Sequence, residues 1–365
     1  MTTMTLPSVR GLVKTSAARA VSWSRADRLI GAVTGLRHRP LVLGYHRVVE
    51  DFAASVESAI PANLTSIRML EQQLDWVGRR FRFVTLDELG ERVERRDAEP
   101  VAAVTFDDGY RDVYEVAFPV LSRKGIPAAV FVITEMVGTL RPPRCDRLYV
   151  LVARAYSRRP SARAMLAGLI EKLELHAADG RRFALPETAL ATTVHLLRTF
   201  PRVAIERIIE SLETEVDVPG DVTRRMLPMT WDMLAAMKAA GTVIGSHTRR
   251  HLLLPLEQPD VIADELSGAR AEIERRLGGT VRHFAYPDGQ FNRASAAAVA
   301  AAGYRFAFTT CSYRDPEFPL LTHPRLMLWE RASLGASGEF SPAIMSCLAH
   351  GVFEVVRRCE HEHRG

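Results

Sequence analysis

Short apolar runs alternating with helix-period segments constrain this chain more than any other feature. The runs are "RPLVLGYHRV" (39–48), "FRFVTL" (81–86), "AVTFDD" (103–108), "PAAVFVIT" (127–134), "TVIGSHT" (242–248), "VRHFAYPDG" (281–289) and "YRFAFTT" (304–310). Consecutive rather than alternating apolar residues imply strands covered on both faces. Between them lie helical segments: 64–80, 86–96 after a Thr85–Glu88 capping box, 111–125 stopped by Gly125, 231–241 capped by Thr230, 260–278 and 293–303. Strands and helices in this rhythm imply parallel βα units, in either a barrel or an open doubly wound sheet.

The rhythm breaks over 141–229, where "CDRLYVLVARAYS", "ARAMLAGLIEKLELHAA" and "AIERIIESLETEV" carry only helical periodicity, which marks a helical insertion. Residues 1–38 form a basic leader in which six Lys and Arg residues face Asp27 alone, and 336–365 form a C-terminal helical extension. A disordered leader and a helix lying on an anionic membrane surface both fit that composition. The 365 residues, 47% of them hydrophobic, suffice for a sizeable core. The net charge of +5 rests on arginine, with four lysines among 48 basic residues and no basic run interleaved with aromatics, which argues against nucleic acid as partner. Cys145, Cys311, Cys347 and Cys359 show no CxxC pair or framework spacing and read as free thiols. With no apolar stretch of membrane-spanning length and no secretory signal pattern, the default compartment is the cytoplasm.

In parallel α/β folds functional residues gather at the carboxyl ends of strands. His46, the adjacent Asp107 and Asp108, His247, and the turn from Tyr286 to Gly289 all fall at such ends. In "SHTRRH", His247 and His251 stand four apart, so a helical turn after Thr248 would let both imidazoles reach one ion; surface histidines show the same spacing. Neighbouring side chains on a strand point to opposite faces, so Asp107 and Asp108 converge only if the strand ends there and the backbone turns, which Gly109 permits. One carboxylate could then bind a cation while the other serves as a base; the plainer reading is a cap on the helix starting near Arg111. Arg282, inside an apolar run, needs a carboxylate partner if buried.

Taken in order, "TFDDGY", "SHTRRH" and "RHFAYPDG" resemble the first three motifs of the polysaccharide deacetylases of carbohydrate esterase family four, the NodB-homology domain. "LGYHRV" resembles the opening motif of the branch acting on exopolysaccharides. The resemblance spans about residues 40–330 apart from the insertion. It implies a distorted (β/α) barrel of about seven parallel strands over 39–335, and a hydrolase removing acetyl groups from N-acetylated glycans with one divalent metal ion. Zinc is the first choice for the ligands, and cobalt or nickel fits the same set.

Carried over by motif, the resemblance makes Asp107 the base, Asp108, His247 and His251 the metal ligands, Arg282 the residue orienting Asp107, and the Tyr286 backbone N–H an oxyanion donor. The general acid is His46 in preference to His323, whose "LLTHPRLML" setting departs from the family's late motif; Leu326 and Leu328 would line the acetyl pocket. Trp231 and Asp146 are further candidates at the rim. An amide hydrolase acting on a small molecule or lipid-linked sugar would use the same site. A non-catalytic carbohydrate-binding protein would keep the fold but have no need of all five residues, and a two-metal phosphoesterase would want more ligands.

Overall fold

Side-chain alternation sorts the strands into two faces, and both faces are buried. The computed structural model describes residues 9–33, 40–56, 59–95, 97, 99–158, 161–175 and 184–354. The strands are β1 (Leu41–Tyr45), β2 (Arg47–Val49), β3 (Leu64–Ser66), β4 (Arg82–Phe83), β5 (Val101–Phe106), β6 (Ala128–Val132), β7 (Val243–Ser246), β8 (His283–Ala285), β9 (Phe306–Thr309), β10 (His323–Pro324) and β11 (Leu326–Met327). One set of side chains, including Val42, Ala103, Ala129, Phe131, Ala285 and Phe308, packs together on one face, while Leu43, Val104, Val130, Phe284 and Ala307 pack on the other. This is why the strands read as unbroken apolar runs.

The main sheet runs β10-β9-β8-β7-β6-β5-β1-β11, with β4 also paired to β5, and each of these pairings is parallel. Its two ends, β10 and β11, are separated in the chain by Arg325 alone. One residue cannot bridge a wide gap, so the sheet curls into a nearly closed barrel, the distorted (β/α) barrel of the sequence reading. The interior is filled by side chains: a Cβ on Gly245 would stand 2.6 Å from the Phe131 ring. The closing strands β10 and β11 and the small β2–β3 sheet escaped the sequence reading because two- or three-residue strands carry no periodicity. The helix expected over 64–80 begins later, since Leu64–Ser66 is strand, and α4 (Ile67–Gly78) starts where the Ser66 hydroxyl accepts from the Met69 N–H.

The remaining helices are α1 (Val9–Trp23), α2 (Ala26–Val33), α3 (Phe52–Ser55), α5 (Leu86–Arg95), α6 (Phe118–Lys124), α7 (Arg144–Arg158), α8 (Ala162–Lys172), α9 (Ala189–Thr199), α10 (Arg202–Glu215), α11 (Gly220–Arg224), α12 (Trp231–Ala239), α13 (Pro259–Leu277), α14 (Arg293–Ala301) and α15 (Pro342–Ala349). Residues 113–117 form a π-helical turn rather than the start of a regular helix, accommodating Pro119, which cannot donate to the turn before it. Thr85 accepts from the Glu88 N–H as the capping box requires, but the Glu88 carboxylate turns to Arg82 and Arg92 instead of closing the box.

The chain divides into two units: 1–52, 62–137 and 229–365 in one, 53–61 and 138–228 in the other. The second has its own core, with Leu148, Leu151, Leu166, Leu196, Ile205 and Ile208 packed between α7, α8, α9 and α10. Asp146 is fully buried on α7 in that unit. Residues 9–33 of the leader are not a disordered tail: α1 packs on α15, with Ala18 buried against Ile344 and Cys347. An apolar stripe on α1 met by an apolar helix supplies the burial that orders it, a partner 300 residues away that composition of the leader alone could not reveal. Cys145, Cys311 and Cys347 are free thiols, and Cys359 lies outside the described residues. No helix among the described residues is long and apolar enough to cross a membrane.

Candidate active site and metal centre

Strand parity and two backbone turns bring the candidate residues together at the carboxyl ends of β1, β5 and β7. Asp107 extends the inward series Val101, Ala103, Thr105, and its N–H continues the ladder to the Tyr45 carbonyl at 2.9 Å. Asp108 would by parity point outward. Its φ of 67°, followed by 73° at Gly109, reverses the chain and turns the second carboxylate back to the site. A left-handed aspartate is tolerated but strained, the kind of cost that collects at functional positions. The sequence reading credited Gly109 alone with this turn; Asp108 itself makes half of it.

His247 continues β7, with its N–H bonded to the Val132 carbonyl. The expected helical turn does not carry the second histidine. Instead Thr248 and His251 both adopt left-handed φ, 64° and 58°, and the His251 N–H bonds to the Thr248 hydroxyl at 2.9 Å. Glu265, buried on α13, holds this loop: its Oε2 accepts from the N–H groups of Arg249 (3.0 Å) and Arg250 (2.9 Å), and its Oε1 pairs with the Arg250 guanidinium. The two rings end with centroids 4.9 Å apart.

His247 Nε2 and His251 Nε2 lie 3.5 and 3.4 Å from Asp108 Oδ1, an oxygen that is buried and has no hydrogen-bond partner among the described residues. Ligands bound tetrahedrally at about 2.1 Å stand about 3.4 Å from one another, so this spacing suits a small divalent cation. These three residues are the group among the described residues whose donor atoms converge for a metal ion. His247 Nδ1–H donates to the Ala285 carbonyl at 2.7 Å, which fixes the tautomer and leaves the Nε2 lone pair facing Asp108. Burial pushes the His247 pKa down to about 4, against the pull of Asp107 and Asp108, so the imidazole is neutral as a ligand must be.

The two aspartates differ in their electrostatics. Burial raises Asp108, with His46 and His247 opposing it, and the Tyr110 hydroxyl donates to it. Burial would also raise Asp107, but the Arg325 guanidinium, His247 and His46 outweigh it and hold the carboxyl well below the usual carboxylate range. Arg325 grips Asp107 with two bonds, 2.6 and 2.7 Å, and also reaches the Thr105 hydroxyl at 3.2 Å. Both members of the pair are buried.

Arg325 therefore does what the resemblance assigned to Arg282. Arg282 precedes β8, at the amino end of the strand and away from the rim, where its half-exposed side chain stands 3.7 Å from Asp87. Arg325, two residues after His323, sits in an apolar run just as Arg282 does, so that signal alone did not separate the two arginines. The Tyr286 N–H is not available to an oxyanion either, because it donates to the Phe308 carbonyl at 3.0 Å. His46 continues the inward parity of β1, and both aspartates feel its charge. His323 is buried beside the Phe308 ring and lines a cavity at the amino ends of the strands. Leu326 lines that same cavity, Leu328 is buried in the outer core, and Trp231 opens α12 under the Arg276 guanidinium. A residue pair missed entirely is Arg47 and Asp112, joined at 2.8 Å, with the guanidinium 5.3 Å over the Tyr110 ring. It links the segment after His46 to the one after Asp108.

A family model, polysaccharide deacetylase, matches residues 94–162 and 205–307, segments that contain Asp107, Asp108, His247 and His251 but neither His46 nor Arg325. A 45-residue stretch is 40% identical to YxkH of Bacillus subtilis (strain 168), a protein provisionally called a polysaccharide deacetylase; it spans 12% of this chain and 16% of that relative's length. Among solved structures, the Streptococcus pyogenes deacetylase PplD in complex with acetate aligns at TM-score 0.51 and 16% identity, over 82% of this chain and 96% of that one. IcaB from Ammonifex degensii aligns at 0.51 and 21%, over 86% and 97%. A de-N-acetylase from Aggregatibacter actinomycetemcomitans aligns at 0.50 and 17%, over 81% and 97%. At these identities the likeness is one of fold.

Proposed function

We propose, from the premise that this chain belongs to the polysaccharide deacetylases, that it is a metal-dependent hydrolase removing acetyl groups from N-acetylated sugar units of a polysaccharide. The observation that carries this reading is the division of labour between the adjacent aspartates: Asp107 clamped as an anion by Arg325, Asp108 with a free buried oxygen facing His247 and His251. Held by Asp108, His247 and His251, a divalent cation would polarise the acetyl carbonyl and acidify a water beside it. Asp107, ionised because Arg325 outweighs its burial, takes the proton of the attacking water. As the carbon–nitrogen bond breaks, the sugar amine needs a proton, and His46 at the same rim supplies it. The opening motif "LGYHRV" supports an exopolysaccharide as the acceptor.

The test is acetate release from N-acetylglucosamine oligomers, and separately from a lipid-linked N-acetylated sugar, after chelation and after adding back zinc, cobalt or nickel. Release from the oligomers that disappears on chelation and returns with metal is the expected result. Metal-loaded protein that binds glycans tightly yet frees acetate from none of them would instead be a binding protein on a hydrolase fold.

A further inference from the structure

The amino-terminal helices present a second surface, away from the carboxyl-end rim. One side of each faces the carboxyl-terminal part of the chain: Ala18 of α1 is buried against α15, Thr15 accepts from the Ala336 N–H, and Asp27 of α2 accepts a hydrogen bond from the Ser346 hydroxyl of α15. With those sides committed, Leu12, Val13, Trp23, Leu29 and Val33 stand 46, 63, 89, 66 and 89% exposed. Only four other large apolar side chains among the described residues are comparably exposed, so more than half of those exposed fall on these two helices. Outward charge on the two helices and the turn between them is all positive, from Lys14, Arg19, Arg25 and Arg28, because their one described acid, Asp27, is buried.

Beside these helices lies a cavity of about 870 Å³ at the amino ends of β1 and β5, with Arg19, Arg28, Arg80 and Trp23 in its walls. Arg19 and Arg28 make no side-chain hydrogen bond or salt bridge among the described residues. Arg80 stacks 4.0 Å over the Trp76 ring, and burial together with the neighbouring charges of Arg28 and Arg79 presses its pKa down. The cavity's acids are Asp27, which accepts from the Ser346 hydroxyl and whose charge acts on Arg80, Glu339, which pairs with Arg68, and Glu354. Arg19 and Arg28, exposed and without a side-chain partner among the described residues, stand beside exposed Trp23 and Leu29 and match a surface that is both anionic and apolar.

We propose that α1 and α2 dock this chain on an anionic phospholipid membrane, with Trp23, Leu29 and Val33 entering the interface and Arg19, Arg28 and Arg80 taking headgroup phosphates. Docking at the amino ends of the strands leaves the catalytic rim turned away from the lipid.

Sedimentation of the full chain with vesicles of phosphatidylcholine, with and without phosphatidylglycerol, tests this. Binding confined to the phosphatidylglycerol vesicles and weakened by salt is expected. Arg19→Gln and Arg28→Gln should each weaken it about fivefold, and Trp23→Ser with Leu29→Ser should release the protein, with acetate release and circular dichroism unchanged in every variant. The proposal fails if the protein ignores phosphatidylglycerol vesicles or binds both kinds alike. It fails equally if light scattering finds a dimer that the Trp23/Leu29 variant abolishes, which would make the face an interface between copies, or if calorimetry finds inorganic phosphate bound without vesicle binding.

Discussion

Asp107 and Asp108 are adjacent in sequence and opposite in electrostatics, because parity sends one to Arg325 and a left-handed turn sends the other to two histidines. Asp107→Asn should cut turnover by about a thousandfold with metal still bound, since a general base is worth roughly 10²–10⁴. Asp108→Asn should lose the metal itself, and equal metal affinity of the two variants by calorimetry would refute the division. Replacing Arg325 by Met leaves a buried carboxylate without its cation, a loss of about 3–5 kcal/mol in urea unfolding. It also lets burial raise Asp107, so the acid limb of kcat/KM should move to higher pH. Arg282→Gln, at a half-exposed position by Asp87, should leave rate and pH profile within about twofold, surface changes being small. If it matched the Arg325 variant instead, the assignment of the clamp would be wrong.

At the scale of elements, the metal loop depends on a residue that touches no ligand. Glu265 ties α13 to the two N–H groups between His247 and His251, and the loop's two left-handed residues need that restraint. Glu265→Ala leaves those donors without their acceptor and should lower metal affinity about 10–100-fold, the usual effect of losing outer support of a metal site. Titration with zinc and a competing chelator reads this, and Glu265→Gln, which keeps a carbonyl acceptor, should recover part of it. Unchanged affinity in the alanine variant would make Glu265 a packing residue only. The spacing HxxxH suggested a helix because i and i+4 meet there, yet a restrained loop brings the same two rings together, and nothing local in the sequence distinguishes the two.

At the scale of the whole molecule, the buried site is a liability in acid when metal is absent. His247 has a pKa of about 4 in the folded chain and an ordinary value of 6.5, so between these pH values the unfolded chain holds more protons and acidification favours unfolding. This group should cost the metal-free protein about 3 kcal/mol between pH 6.5 and 4. Asp107, depressed when folded, contributes stability above its unfolded value of 3.8 and loses it only at more acid pH, outside that window. Asp108, raised by burial, takes its proton earlier in the folded chain and returns part of the loss. Urea midpoints of chelated protein should therefore fall with pH more steeply than those of His247→Asn. Parallel slopes would show that His247 does not titrate this way.

The sequence by itself determined the βα rhythm, the strand ends and the residue types of the metal site, because burial on both faces and the turns at strand ends are local in the chain. It could not determine which arginine meets Asp107, how His251 returns to the ion, or what covers the leader. The first and last depended on contacts between residues about 200 to 330 positions apart, Arg325 with Asp107 and α1 with α15, while the return of His251 depended on Thr248 and on Glu265 of α13. Barrel closure sets the first of these. When β10 and β11 bring the last strands beside the first, Arg325 is carried inside to Asp107, and Arg282 is left at the other end of its strand.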